Sequence, residues 1–551
     1  MELLAPAGSM QQAMAGIESG ADALYGGLKE WNARNRAVNF SVEEYKILLS
    51  KCHKKNVLFY LTINTLLSDE EIDEIRTLFH SGTFVLPDAV IAADVGFIRV
   101  LRDDFPDLSI HASTQFGAIS LSDILFLEEL GVRRAVLARE LTLAEIMILR
   151  RNTCMELEIF VFGSQCICFS GQCLWASTYK RGSGNRGRCT GMCRDVYRQG
   201  NISGQYFYPQ DIDASALLSK IHSAGIDSIK IEGRMRPAQE TAEIVSKFRT
   251  ALDGKMRVSS GYGGYLNDNI PVHGMLNAVN PRTLIYLSQN DKSAIRPGVT
   301  SDTISILRGE INAGAANGLV LYQNKSGINL LNNLEEFTVE TNKFSFIPFL
   351  INKGVKTIIF DFTSIDQLKK SLNYNLRNVT LFYKLPLLDF SNKTSDILFL
   401  LEGKNIMITR ISQIAQIKKL KFNQTAADYS INVWNRYTSQ YLKEQGIIIG
   451  TLHPELTDNP KHFFKNNQII VYGKIPLGYT RACFKETGLC KSSDCTGCFT
   501  VENIAKGYSI KIDCNNEFGF RKIEPLDYTN LLTYNWRGFN RRIILNAGDY
   551  A

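Results

Sequence analysis

The chain has 551 residues, 45% of them hydrophobic and 21% charged, with a net charge of +7. That is the make-up of a soluble globular protein too long for one ordinary core, so two or three domains are expected. No apolar run reaches the roughly 18 residues of a membrane helix, and the start, MELLAPAGS, lacks the basic lead and apolar core of a secretory signal. The expectation is a cytoplasmic protein with no membrane partner, its twelve cysteines kept reduced, leaning mildly toward anionic partners.

In chain order, apolar runs at Glu2–Ala5, Ala23–Tyr25, Val57–Ile63, Ala89–Ala93, Leu108–His111, Arg134–Leu137, Leu157–Phe162 and Ser228–Ile231 read as strands. Amphipathic segments such as Gln11–Ser19 and Asp69–His80 lie between them. Strand-then-helix units repeated eight times predict an α/β fold, a (β/α)8 TIM-like barrel over residues 1–254. An open doubly wound sheet is the alternative, but no G-x-G-x-x-G follows the first strand.

Barrel enzymes build their sites at the C-terminal ends of strands. Just past the proposed strands stand Asn64, Asp94, His111 to Gln115, Arg139-Glu140, Cys166 and Glu232-Gly233-Arg234. Asp94, His111 and Glu232 are candidate acid–base groups, and Arg139 and Arg234 candidate anion holders. Each has a plainer reading. His111 could be a hydrogen-bonded strand-end histidine, the acids could be ion partners of the arginines, and Glu140 could cap the helix that begins at LTLAEI. The alternation Lys230-x-Glu232-x-Arg234 places Glu232 and Arg234 on one side of the strand end.

The loop after the seventh strand carries five cysteines within 28 residues, and with Cys168 set aside the spacing is C-x6-C-x15-C-x3-C over Cys166, Cys173, Cys189 and Cys193. Thiols gathered this closely are metal or cluster ligands more often than disulfides. Uneven, wide spacing suits an iron–sulfur cluster; structural zinc and a thiol-only site stay open. Lys180, Arg181, Arg186, Arg188, Arg194 and Arg198 make the same stretch basic, either to screen thiolates or to cradle an anion such as RNA phosphate.

Residues 255–345 read as a small β-rich insert, and 346–551 as a degenerate second α/β module. Strand-like runs return at Phe346–Ile351, Thr357–Phe362, Thr380–Tyr383, Ile406–Thr409, Ile447–Thr451 and Ile469–Tyr472. TLHPELT echoes VLARELT, which places Pro454 where Arg139 stands and Pro476 where Cys166 stands. DYSINVWN at Asp428–Asn435 is matched with HASTQFGA, so that Asp428 replaces His111, and no counterpart of KIEGR is expected to close the copy. Cys483, Cys490, Cys495 and Cys498 form C-x6-C-x4-C-x2-C, a candidate second metal site for zinc or another cluster.

LAPAGS at Leu4–Ser9, Asn32-Ala33-Arg34, HASTQ at His111–Gln115, LAREL at Leu137–Leu141, the first cysteine run and KIEGR at Lys230–Arg234 together resemble the collagenase-like peptidase family U-32. The likeness covers residues 1–250 and resumes over about 425–500. It implies either proteolysis, as the family name has it, or oxygen-independent hydroxylation with a [4Fe–4S] cluster. In the hydroxylating branches the substrates are ubiquinone precursors, a tRNA wobble uridine or a cytidine of 23S rRNA, and the RNA branches draw on prephenate. The resemblance assigns the cluster to Cys166, Cys173, Cys189 and Cys193, and the second module makes the larger rRNA-type members the nearer likeness.

Three classes of function follow. An iron–sulfur hydroxylase acting on RNA, with a small carboxylate co-substrate, is the leading expectation. A peptidase is the second, although neither H-E-x-x-H nor G-x-S-x-G occurs. The third is a metal-stapled RNA-binding or assembly protein without catalysis; the sequence identifies no partner protein.

Overall fold

The computed structural model describes residues 1–254 and 334–545, with short breaks of which the longest are 457–465, 482–497 and 531–539. In the first unit the strands are β1 (Glu2–Pro6), β2 (Ala23–Gly26), β3 (Leu58–Ile63), β4 (Ala89–Ala92), β5 (Ser109–Ala112), β6 (Arg134–Val136), β7 (Glu156–Gly163) and β8 (Ser228–Ile231). Each pairs in parallel with the next, and β8 returns to β1, closing the expected eight-stranded barrel. Several helices start where side chains satisfy free N–H groups. Ser41 with Glu44, Ser68 with Glu71 and Thr142 with Glu145 form reciprocal caps. Thr142, not Glu140, therefore caps the helix after β6.

The barrel interior is crossed by charge. Glu158, fully buried, holds Lys230 Nζ at 2.9 Å and Arg134 Nη1 at 3.1 Å. His111 lies in this interior layer, edge-on to Tyr60 with ring centroids 4.7 Å apart.

A second barrel follows: β9 (Thr338–Thr341), β10 (Thr357–Phe360), β11 (Thr380–Lys384), β12 (Asn405–Ile408), β13 (Gln424–Ala427), β14 (Ile449–Thr451), β15 (Asn466–Gly473) and β16 (Asn540–Ile544). All eight are parallel, and β16 closes between β15 and β9. Three expectations change. β9 precedes residue 346, so the second unit begins inside the stretch read as an insert, whose residues 255–333 lie outside those described. Phe346–Ile351 falls instead in a helix, Ile347–Asn352, because a short apolar run does not by itself distinguish strand from helix. The copy is also closed by a counterpart of KIEGR. Tyr472 faces Ile543 after the same register shift that sets Phe162 opposite Ile231, so Arg542 takes the place of Lys230 and Ile544 that of Glu232.

Register also corrects one alignment and keeps another. The Asp428 N–H donates to Ile408 O as the Ser113 N–H donates to Ala92 O, so Asp428 corresponds to Ser113 and Ala426 to His111. Leu452 N bonds Gln468 O as Leu137 N bonds Glu158 O, which leaves Pro454 at the Arg139 position.

The two barrels pack with an approximate twofold relation. The helix after β4 (Val95–Asp104) meets the one after β13 (Arg436–Glu444), and the helix after β5 (Leu121–Glu129) meets the one after β12 (Gln413–Ile417). Asp123 latches the second contact. Its buried carboxylate caps its own helix through Ser120 and accepts from Arg410 Nη2 at 2.6 Å and Ser412 Oγ at 2.5 Å. Burial pushes this carboxyl up, but Arg410 and Ser412 outweigh it and hold it below the usual carboxylate range. Asp123→Ala strands Arg410 and is expected to destabilise by about 3–5 kcal/mol, seen as a lower urea midpoint. A folded value below the unfolded one gives a contribution present above roughly pH 3.9 that is lost as pH falls through the folded value. An unchanged midpoint at neutral pH would rule the latch out.

A third sheet joins the units. Tyr197–Gln199 and Ile202–Gly204, from the cysteine loop of the first barrel, combine with Cys498–Asn503, Ser509–Asp513, Arg521–Pro525 and Gly478–Thr480 into six antiparallel strands. Tyr508 stacks on Tyr179 at 3.8 Å and exchanges a 2.8 Å hydroxyl hydrogen bond with Tyr197. The C-terminal strands thus complete the core beneath the cysteine loop, around Trp175, Phe207 and Ile510.

Candidate active site

A cavity of about 580 Å³, counted out to the solvent, opens at the C-terminal ends of the first barrel's strands. Arg34, Arg139, Glu232, Arg234 and Cys166 all line it, with Asn64 and Ser113 to Gln115 between them. The chain is bent to bring these groups together. Gly163, at φ 103°, sits where a Cβ would come within 2.7 Å of the Glu232 carbonyl oxygen, so only glycine lets β7 and β8 end side by side. Glu232 is then held from two sides, by Arg34 Nη2 at 3.0 Å and by the Ser164 N–H at 3.3 Å.

Arg234 is buried, and among the described residues its guanidinium bonds only neutral oxygens, Thr62 Oγ1 at 3.1 Å and Asn32 Oδ1 at 3.2 Å. Burial pushes its pKa down to about 10, against the opposing pull of Tyr25 and Glu232. Arg139 is equally buried; it lies over the Phe160 ring at 4.6 Å, donates to Ser170 Oγ at 2.9 Å, and leaves its Nε without a hydrogen-bond partner. Two buried guanidiniums in one cavity, neither bonded to a carboxylate among the described residues, form a site ready for an anion. Lys230 also lines the cavity, but its charge is turned inward to Glu158.

The cysteine loop forms one wall. Cys166 and Cys189 are exposed, Cys173 and Cys193 half-buried, and Cys168 buried. Their thiols lie within electrostatic reach of one another. Burial pushes the Cys193 thiol well up, and Cys166, Cys189 and Cys173 add to the rise; Cys189 is raised by burial, then by Cys173 and Cys166. Such an array of unfavourable thiolates is what a cationic centre relieves. Backbone N–H groups are already aimed at it, Gly191 N–H to Cys189 Sγ at 3.4 Å among them. The donor set fits an iron–sulfur cluster. Among the described residues, no three Cys, His, Asp or Glu side chains converge closely enough for a single metal ion.

Two expected residues lie elsewhere. His111 is 2% exposed below the cavity, its Nδ1 without a partner, and burial followed by Arg134 lowers its pKa well below the histidine norm. A neutral, enclosed imidazole has no path to the mouth; Ser113, Thr114 and Gln115 take that place. Asp94 caps the helix Val95–Asp104 through the Phe97 N–H and accepts from Asn435 Nδ2 of the second barrel at 2.8 Å, so its oxygens are engaged in packing. Cys483, Cys490 and Cys495 lie outside the described residues; Cys498 opens a strand, and its side chain is not among those described.

Two further residues emerge. Arg34 pairs with Glu232, and the only sequence signal for it was the Asn32-Ala33-Arg34 triplet past β2. Glu455, at the Glu140 position of the second barrel, reaches the cysteine loop and accepts from Ser183 Oγ at 2.7 Å. Glu140 itself is buried off the cavity, its carboxyl pushed up by burial to about 7.

Residues 8–268 match the family described as Peptidase family U32. The chain is 31% identical over 265 residues to the tRNA hydroxylation protein P1 of Bacillus subtilis, a match covering 46% of this chain and 63% of that protein. It is 33% identical over 264 residues to the 23S rRNA 5-hydroxycytidine C2501 synthase of Escherichia coli, covering 46% of this chain and 39% of that one. A protein of Porphyromonas gingivalis named Collagenase is 30% identical over 273 residues, covering 46% of this chain and 65% of its own length. The chain thus spans less than two thirds of each of these relatives. The matched segment holds seven of the first barrel's eight strands, the residues that line its cavity and the first cysteine quartet, and over it the chain is similar to Peptidase family U32.

Proposed function

We propose that this protein is an RNA-base hydroxylase that works without molecular oxygen and carries a [4Fe–4S] cluster on Cys166, Cys173, Cys189 and Cys193. The observation that carries the reading is the position of Cys166, which belongs both to the thiol array and to the wall of the anion-ready cavity. The relatives named for tRNA and 23S rRNA hydroxylation support the substrate class. A cluster takes one thiolate at each iron and suits the uneven C-x6-C-x15-C-x3-C spacing, whereas zinc sites usually pair their cysteines two to four residues apart.

When bound, the cluster supplies one-electron chemistry beside the cavity. The chain's own residues do the rest. Arg139 and Arg234 hold the carboxylates of a small oxygen donor, with prephenate as the candidate. Glu232, oriented by Arg34, takes the proton lost from the base. The basic cysteine loop engages RNA phosphates. The second quartet, Cys483, Cys490, Cys495 and Cys498, is proposed to hold a structural zinc or a second cluster.

The test is to delete the gene, grow cells without oxygen, digest total RNA and compare nucleosides by mass spectrometry. A nucleoside lighter by one oxygen is expected, restored by the wild-type gene. The relative named Collagenase keeps peptidase as the second reading, although the cavity lining described here contains no histidine to activate a nucleophile. An unchanged RNA profile, together with cleavage of denatured collagen by metal-free protein, would establish that reading instead.

A further inference from the structure

We infer that Met235 and Val38 form an apolar wedge at the cavity rim that inserts between stacked RNA bases when the target nucleotide swings into the cavity. The inference rests on the RNA reading above. Met235 is 62% exposed and Val38 73% exposed, two of the most exposed large apolar side chains among the described residues. Both are presented by anchored turns, and neither sits on a loose loop.

Met235 is at the tip of the turn Gly233–Arg236, closed by the Arg236 N–H to Gly233 O at 2.8 Å. On one side Arg234 is fixed inside the cavity; on the other Arg236 is clamped by Asp211 and Glu240. Val38 precedes Asn39, which is 2% exposed at φ 54° and ties its side chain back to the Arg34 and Ala37 carbonyls at 3.1 Å each. The two turns meet through Gly8. Asn39 N–H donates to Gly8 O at 2.8 Å, and a Cβ on Gly8 would lie 1.8 Å from the Arg234 carbonyl oxygen. Each apolar side chain is therefore one residue away from a backbone contact on the same rim, beside Arg34 and Arg234, which line the cavity.

The surroundings specify the partner. Arg36 and Arg188 are exposed on adjoining loops, which touch where a Cβ on Gly187 would come within 2.3 Å of Asn32 O. Exposed methionine and valine framed by guanidiniums match a stacked, phosphate-bearing strand. Removing a base from its stack for chemistry costs a few kcal/mol, and apolar wedges offset it by filling the vacated step.

The test uses full-length protein and RNA hairpins with 2-aminopurine placed in turn at each loop position, since this base brightens when it unstacks. Wild-type protein is expected to brighten one position. Met235→Ala with Val38→Ala should abolish the brightening and weaken binding about tenfold, the scale of one lost base contact. The salt dependence of binding should stay the same, because phosphate contacts remain. Brightening that is unchanged in the double variant overturns the wedge alone. Loss of a concentration-dependent dimer with brightening intact assigns the patch to a second copy of the chain and also overturns it. Wild-type protein that binds no hairpin at any salt overturns the RNA reading, and the wedge with it.

Discussion

Cys173→Ala and Cys193→Ala are each expected to abolish the brown colour of anaerobically purified protein, while Cys168→Ala keeps it. All three thiols lie in one core, so position alone does not separate them. Surroundings separate Cys168 from Cys173, while Cys193, itself raised by burial and the neighbouring thiols, is assigned by the family resemblance. Cys168 is 3% exposed and packed so tightly that a Cβ on Gly478 would approach its Sγ to 2.5 Å. Its thiol is pushed well up, first by the hydrogen bond it gives Cys173 and then by burial, which keeps it a neutral donor. Cys173 is held below the usual thiol range by that same bond, with the Trp175 N–H adding to it, and so presents the better thiolate. Removing Cys168 deletes one packed sulfur at a cost of roughly 1 kcal/mol; removing Cys173 or Cys193 takes one corner from a four-thiolate site. Iron and sulfide analysis with the visible spectrum reads the result. Full colour in Cys193→Ala, or zinc without iron after anaerobic reconstitution, would end the cluster assignment.

The parts of the fold that were legible in the sequence are those where local chemistry and tertiary demand agree. Most of the first barrel's strands are short apolar runs buried on both faces, and that signal survives without any knowledge of their partners, even where a single charge such as Lys230 in β8 interrupts the run. β9 and β16 were missed for the opposite reason. Thr338–Thr341 carries Glu340 and Asn540–Ile544 carries Arg542, charges that read as surface. They are buried because they neutralise each other: Arg542 bonds Glu340, and its Nη1 lies 2.8 Å from Asp428 Oδ1. Such pairs are invisible until strands 200 residues apart are neighbours. The same holds at the site. Glu232, Arg234, Arg139 and Cys166 were found because each follows a strand end, whereas Asp94 and His111 met that rule equally well and yet lie off the cavity. Position along the chain shows which residues approach the mouth. It does not show that Asn435, from the other barrel, will take up the Asp94 carboxylate.

Glu232→Gln should lower the turnover of RNA modification about 100-fold or more, within the range for losing a positioned acid–base group, with cluster content unchanged. Arg234→Lys should instead raise the concentration of carboxylate donor needed for half-maximal rate, with a smaller loss of turnover. The geometry separates the two roles. The Glu232 carboxylate is supported by Arg34 and the Ser164 N–H, contacts that a glutamine amide can partly keep, so the variant loses proton affinity more than position. Arg34 would also face a neutral amide in place of its partner, but it is a third exposed and water can compensate. Arg234 is buried and anchored on Thr62 and Asn32, which leaves the rest of its fork for a ligand; a lysine keeps the charge and loses the planar pair of donors. Single-turnover measurements at saturating and limiting donor, with nucleoside analysis of the product, separate binding from chemistry. If Glu232→Gln turned over normally and Arg234→Lys left the donor requirement unchanged, neither residue would belong to the reaction, and the cavity would hold some other anion.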